Sequence, residues 1–441
     1  MLRLTSVVAL SLITAIAGCA NTDFDPGDGG GTGTSDGSGY GGGDGGGPIT
    51  PSCPGQETIL KGTVFAPNGQ DPVPGASVFV PASVPELFVP EVKCEVCGTF
   101  GSADNLWFTT TEGDGTFEMR VCPGKRVVVF QNGRFRRVHE LDIPPNTTLD
   151  VPATISRLPR KDGENHRADA VPKIAVATGD FDKMECVLRK IGLDDSAFDL
   201  YEGADQLKSP TTPLPNFSTL VNDLNKLKTY NIVFINCTNN TFETELAKPG
   251  VRQNLEAYVQ SGGRLYITDW SYDWIEQLPS LAPFIDFEPG PSGDSPETKD
   301  AAAIGMGGLT VSGTIKDSKM AQWLGLFPST INNGRAQIEH FLIDWVIMHK
   351  LHKDVKVWVE GNIQSRDSSV SGTRPLTVTY NFKNCGKILF SSYHTEGRDD
   401  ELGLFPDPKP YPQYCGASAS PQDRILEYLI FDIANCVKPI Q

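Results

Sequence analysis

Residues 262–270 read Gly-Gly-Arg-Leu-Tyr-Ile-Thr-Asp-Trp. The paired glycines stop the helical pattern of 251–260, and the apolar run after them does not alternate, as expected for a strand buried on both faces. The same alternation of apolar run and helical spacing extends in both directions. Upstream, 173–179, 198–203 and 232–237 read as strands, with a short helix over 183–191 and helical spacing at Leu220, Val221, Leu224 and Leu227. Downstream, an irregular stretch (284–335) precedes an expected helix over 336–350 and strands over 355–359, 376–380 and 387–394. A closing helix over 421–434 carries Ile425, Leu426, Leu429, Ile430 and Ile433 on one face. Strands alternating with helices predict an α/β three-layer domain over 172–441, with a mostly parallel sheet and an insertion at about 284–335.

On residues 262–267, 386–396 and the closing helix, this half resembles the class I glutamine amidotransferase-like superfamily, most nearly its ThuA-like branch. The resemblance implies a flavodoxin-like fold. It also implies a nucleophilic Cys on a strained turn, activated by a His and a Glu spaced H-x-E. His394 and Glu396 match that spacing. The nucleophile does not match: Thr268-Asp269-Trp270 follows the fourth strand, and a carboxylate cannot form the thioester. Cys237 follows the third strand instead, where the family keeps oxyanion-hole backbone. A Ser271–His394–Glu396 triad lacks the Gly-x-Ser-x-Gly context.

Ligands of open α/β sheets bind beyond the carboxyl ends of the strands. Asp180, Glu202, Asn236, Cys237, Trp270 and Ser271 fall there and are the ligand-binding candidates, beside His394, Glu396 and Asp269 as catalytic candidates. Trp270, Tyr272 and Trp274 could stack on sugar rings, but packing accounts for them as well. His340 with Asp344, and His349 with His352, have helical spacing without a third partner, so no metal centre and no cofactor are expected.

Residues 53–158 read as short strands and turns, including 59–65, 73–80, a Gly-Asp-Gly hairpin signal at 113–115 between 108–111 and 116–121, and 126–130. Gly62, Pro67, Gly69, Val73, Pro74, Gly75, Ala76, Val78, Gly115, Phe117, Pro123 and Gly124 carry a pattern that resembles the carboxypeptidase regulatory-like (transthyretin-like) module, with an insertion at 82–106. The resemblance implies a seven-stranded, prealbumin-like β-sandwich of carbohydrate-binding-like type, accessory rather than peptidase. A linker is expected over 159–171.

The chain opens MLRLTSVVALSLITAIAGCA. Arg3, a short apolar region and Ile16-Ala17-Gly18-Cys19 resemble the bacterial lipobox, which implies a signal peptide over 1–18 and a lipidated Cys19. Residues 27–47 contain 13 glycines, so 19–52 is expected as a flexible tether with a reach of ~30 Å. Ala20 after the Cys favours the outer membrane. With 38 Lys and Arg against 54 Asp and Glu, the net charge of −16 excludes a phosphate-tracking nucleic-acid binder.

Four cysteines, Cys53, Cys94, Cys97 and Cys122, lie in the sandwich segment and suggest two disulfides in an oxidising compartment, the alternative being a four-cysteine zinc site. Cys186, Cys237, Cys385, Cys415 and Cys436 lie in the second half, where Cys385 with Cys415 or Cys436 is expected to pair and Cys237 is the candidate free thiol. Together these features describe a membrane-anchored envelope lipoprotein with a degenerate, non-catalytic amidotransferase-like domain, facing the periplasm or the cell surface. It would bind an envelope protein or a carbohydrate. The alternative is an envelope hydrolase acting on a sugar-derived or amide substrate through His394, Glu396 and Asp269.

Overall fold

The computed structural model describes residues 53, 56–95, 105–203, 213–238, 243–287, 301–328, 330–339, 341, 344–395, 411–416 and 418–435. Cys19, Cys97, Glu396 and Cys436 lie outside the described residues. Among those described, no helix is long and apolar enough to cross a membrane.

The N-terminal half is built from β1 (Thr58–Thr63), β2 (Ser77–Pro81), β3 (Asn105–Thr110), β4 (Thr116–Val121), β5 (Gly124–Asn132), β6 (Phe135–Ile143) and β7 (Thr148–Val151). They form a three-stranded sheet, β4-β1-β7, and a four-stranded sheet, β3-β2-β5-β6. Alternation along β4, with Phe117, Met119 and Val121 buried and Thr116, Glu118 and Arg120 exposed, turns one face to the core and one to water. The expected hairpin across 113–115 does not form. β3 pairs with β2 and β4 with β1, so the chain crosses between sheets at this turn. The turn chemistry itself is present: Gly115 has φ +77°, and Asp114 Oδ1 accepts from the Thr116 amide and hydroxyl at 3.0 and 2.6 Å. A tight turn sets the direction of the chain without choosing the next strand's partner.

The second half adds β8 (Ile174–Ala177), β9 (Phe198–Tyr201), β10 (Ile232–Ile235), β11 (Arg264–Thr268), β12 (Ile285–Asp286), β13 (Ile304–Met306), β14 (Val311–Ile315), β15 (Ile331–Asn332), β16 (Arg335–Ile338), β17 (Asp344–Val346), β18 (Lys350–Leu351), β19 (Lys356–Gln364), β20 (Ser371–Phe382) and β21 (Gly386–Ser391). Ten of them make one sheet in the order β15-β16-β14-β19-β20-β21-β11-β10-β8-β9. Every pairing from β21 to β9 is parallel, and every pairing from β15 to β21 is antiparallel. The sheet is therefore mixed rather than mostly parallel, because the β19–β20 hairpin and the strands from 311–338 extend one edge. The expected helix over 336–350 is also overturned: 335–338 is a strand with Ala336 and Ile338 buried and Arg335 and Gln337 exposed, a period of two hidden inside an apolar-rich run.

The parallel strands explain why they read as unbroken apolar runs. Along β8 and β10, Ile174, Val176, Ile232 and Phe234 face one core, while Ala175, Ala177, Val233 and Ile235 face another. The helix Pro249–Gln260 supplies Val251, Leu255 and Val259 to the second core. The helix Pro421–Ala434 supplies Ile425, Leu429 and Ile433 to the first, and a capping box between Ser420 and Asp423 starts it. That first core runs without a break into the sandwich, where Phe135 lies 5.3 Å from Phe431 by ring centroids. Trp323 Nε1 donates to the Pro72 carbonyl at 2.7 Å, and Arg424 pairs with Asp71 at 2.6 Å.

The cysteines correct the sequence reading in two places. Cys53 bonds to Cys122 within the sandwich, but Cys94 bonds to Cys385 of the second half, and Cys186 bonds to Cys415. The zinc alternative for the sandwich cysteines fails, since Cys53, Cys94 and Cys122 are all in disulfides. Cys385 takes a partner from the other half because the segment at 82–95 runs across onto the α/β sheet: the Val92 amide bonds the Lys228 carbonyl at 2.8 Å, and Glu95 bridges Arg134 and Arg264 at 2.8 and 3.4 Å. Cys237 is free and buried.

Candidate functional site at the carboxyl ends of the parallel strands

β21, β11, β10 and β8 are consecutive in the sheet and parallel, so the residues after each converge at one edge. After β11 the chain turns sharply. Asp269 has φ +43°, a left-handed conformation that Asp tolerates better than most residues, and a short turn of 3-10 helix over Asp269–Tyr272 follows. That geometry turns the Asp269 side chain back over the sheet, where it is wholly buried. Its Oδ1 accepts from the Val346 amide at 2.7 Å. Its Oδ2 lies 3.1 Å from His394 Nε2 and accepts from the Cys237 thiol at 3.8 Å.

Cys237 follows β10. Thr268 Oγ1 accepts its amide at 2.9 Å. Gly179, after β8, lets the two loops touch: a Cβ there would stand 2.2 Å from the Cys237 carbonyl oxygen. His394 follows β21, is 5 % exposed, and stacks on Phe181 with ring centroids 6.4 Å apart. Burial pushes the Cys237 thiol well above its usual range, reinforced by the charge of Asp269. Burial likewise raises the Asp269 carboxyl, against the pull of His394.

The other candidates separate. Asn236 is buried and donates from Nδ2 to Glu185 Oε2 at 3.0 Å and to the Asp182 carbonyl at 3.2 Å. Ser271 donates to the Asn236 carbonyl at 2.9 Å, a backbone tie and not a bond to His394. Asp180 accepts from Thr238 Oγ1 at 2.9 Å. Glu202 is held through its backbone to Pro215 and Phe217, and no hydrogen bond joins it to the cluster among the described residues. Trp270 is partly exposed, whereas Tyr272 and Trp274 are buried against Phe287 and Phe217. The three rings therefore do not form one open platform. His349 and His352 lie outside any helix.

Two buried acids were not singled out from the sequence. Asp182 Oδ1 accepts from the amide and hydroxyl of Thr395 at 3.1 and 2.5 Å, which ties the segment after β8 to the one after β21. Glu185, on the helix Met184–Lys190, accepts from Tyr414 at 2.6 Å, and burial pushes its carboxyl up to about 7. The available signal was their place just past the first parallel strand, where acids in a helix-starting segment otherwise read as solvated.

No protein-family model matches this chain, and no curated protein matches it. Among solved structures, a Coh3ScaB-XDoc_M1ScaA complex of type II cohesin-X-dockerin from Acetivibrio cellulolyticus aligns at 13 % identity over 32 % of this chain and 88 % of that one. The TM-score is 0.18, too low to inform fold or function.

Proposed function

We propose that this protein is a bacterial cell-envelope lipoprotein, anchored through Cys19, whose α/β domain binds a ligand or an envelope partner without turning it over. The prealbumin-like reading of the first half is supported by seven strands in two sheets. The flavodoxin-like reading of the second is supported by its five parallel strands. Numbered along the chain within that set, they lie in the order 2-1-3-4-5. One observation carries the non-catalytic reading. Asp269 holds the strained turn where an amidotransferase would keep its nucleophile, and it is buried with both oxygens engaged, by Val346 on one side and by His394 and Cys237 on the other. A ligand is then expected on the sandwich or on the rim around Trp270, with carbohydrate as the first class to screen.

The 3.1 Å contact between His394 and Asp269 is what favours the alternative, a hydrolase of amide or sugar-derived substrates with Glu396. One set of assays separates the two. The full chain is assayed for release of ammonia from glutamine and for hydrolysis of amides and glycosides, beside His394→Ala, and is probed on a glycan array. Binding without turnover is the expected result, and turnover lost in His394→Ala would establish the hydrolase. The anchor is tested by Cys19→Ala, which should end fatty-acid labelling and release the protein from the membrane fraction.

A further inference from the structure

We propose that Cys237, Asp269 and His394 form a site for one divalent transition metal of the zinc type, with Sγ, Oδ2 and Nε2 as ligands. The three atoms lie within 4.8 Å of one another and all three residues are buried. Thiolate, carboxylate and imidazole are the donors zinc takes. Bonds of ~2.3 Å to sulfur and ~2.0–2.1 Å to nitrogen and oxygen, at a tetrahedral angle, place donor atoms ~3.3–3.6 Å apart. The observed spacings of 3.1 Å (Nε2 to Oδ2) and 3.8 Å (Sγ to Oδ2) bracket that range.

Each ligand is held from behind, as metal ligands are. The Val346 amide occupies Asp269 Oδ1 and leaves Oδ2 facing the other two. Thr268 fixes the Cys237 backbone, and Phe181 stacks on the His394 ring.

On binding, the Cys237 thiol gives up its proton to solvent and the sulfur bonds the metal as thiolate, so loading releases a proton. The site stands whether or not the domain turns a ligand over.

The test uses the full chain, made with zinc in the medium and purified in detergent. Elemental analysis should find about one zinc per chain, retained through dialysis. Cobalt(II) in place of zinc should give a thiolate-to-metal charge-transfer band. Cys237→Ser and His394→Gln should lose both signals while keeping the wild-type circular dichroism and disulfide map. Thr268→Val should weaken zinc affinity about 10–100-fold, the usual effect of removing a supporting partner. Wild-type protein with intact disulfides that holds no zinc and gives no cobalt–sulfur band overturns the proposal, as does zinc that persists in Cys237→Ser. If the variants fail to fold, the wild-type cobalt spectrum decides alone.

Discussion

Asp269 Oδ2 lies 3.1 Å from His394 Nε2 across the ends of β11 and β21, and Asp269 reaches that position only through a backbone φ of +43°. The turn and the contact depend on each other. An extended Asp269 would continue the strand and point its carboxylate away, and a residue that disfavours left-handed backbone would make the turn only at a cost.

Substitution at 269 should therefore separate backbone from charge. Asp269→Asn keeps tolerance of positive φ and an acceptor for the Val346 amide, and should cost about 1 kcal/mol or less. Asp269→Val adds a β-branched side chain at that φ, ~1–2 kcal/mol, and leaves a buried amide unpaired, ~1–3 kcal/mol. Urea midpoints of the two variants should differ accordingly, and equal midpoints would show that the turn is not strained.

Non-reducing peptide mapping should recover Cys53–Cys122, Cys94–Cys385 and Cys186–Cys415, with Cys237 alkylated only after unfolding. Replacing Cys94 and Cys385 together by Ala should cost about 2–5 kcal/mol, since that bond ties the 82–95 segment to the second half. Alkylation of Cys237 in native protein would contradict its burial.

Arg137 is wholly buried between Asp169 at 2.6 Å and Glu164 at 2.5 Å, and Asp169 also accepts the Val138, Asn165 and His166 amides. Asp169→Ala leaves the buried Arg137 with Glu164 alone and takes the acceptor from three amides, and should cost about 3–5 kcal/mol. Asp150, which pairs with Lys61 on the surface at 3.4 Å, is the control, and its replacement by Ala should cost less than about 1 kcal/mol. Chemical denaturation of the two variants makes the comparison.

Two carboxylates should shape stability against pH in opposite senses. Burial would raise Glu164, but hydrogen bonds from Arg157, the Arg160 amide and Arg137 outweigh it and hold the carboxyl at about 2. Its contribution is complete above its ordinary value of 4.5 and is lost as pH falls toward about 2. Glu185 is pushed by burial to about 7, so its contribution is complete below 4.5 and is lost as pH rises through about 7. Glu185→Gln should flatten the stability curve between pH 4.5 and 7 and leave the acid limb in place, measured by thermal melts across pH. An unchanged neutral limb would place the charge elsewhere.

The parallel strands β8 and β10 were legible because burial on both faces leaves no polar residue to break the run, as in Ile232-Val233-Phe234-Ile235. The closing helix was legible from its one-sided apolar spacing. The segment 335–351 was not, since Ile338, Trp345 and Val346 satisfy helical and strand periods alike and only their pairing with 304–315 decides. Of the site, Asp269, Cys237 and His394 could be nominated as residues ending strands. Their meeting could not, because it depends on which strands are neighbours.

What the sequence by itself determined is local: the buried strands, the closing helix and the turn residues. Each follows from the side chains within one turn of helix or one strand. Tertiary structure alone decided that 113–115 crosses between sheets, that Cys94 bonds Cys385, and that Asp269, Cys237 and His394 share one buried point. Those relations join residues from 32 to 291 positions apart, or set one strand pairing against another, and only packing of the whole chain settles such choices.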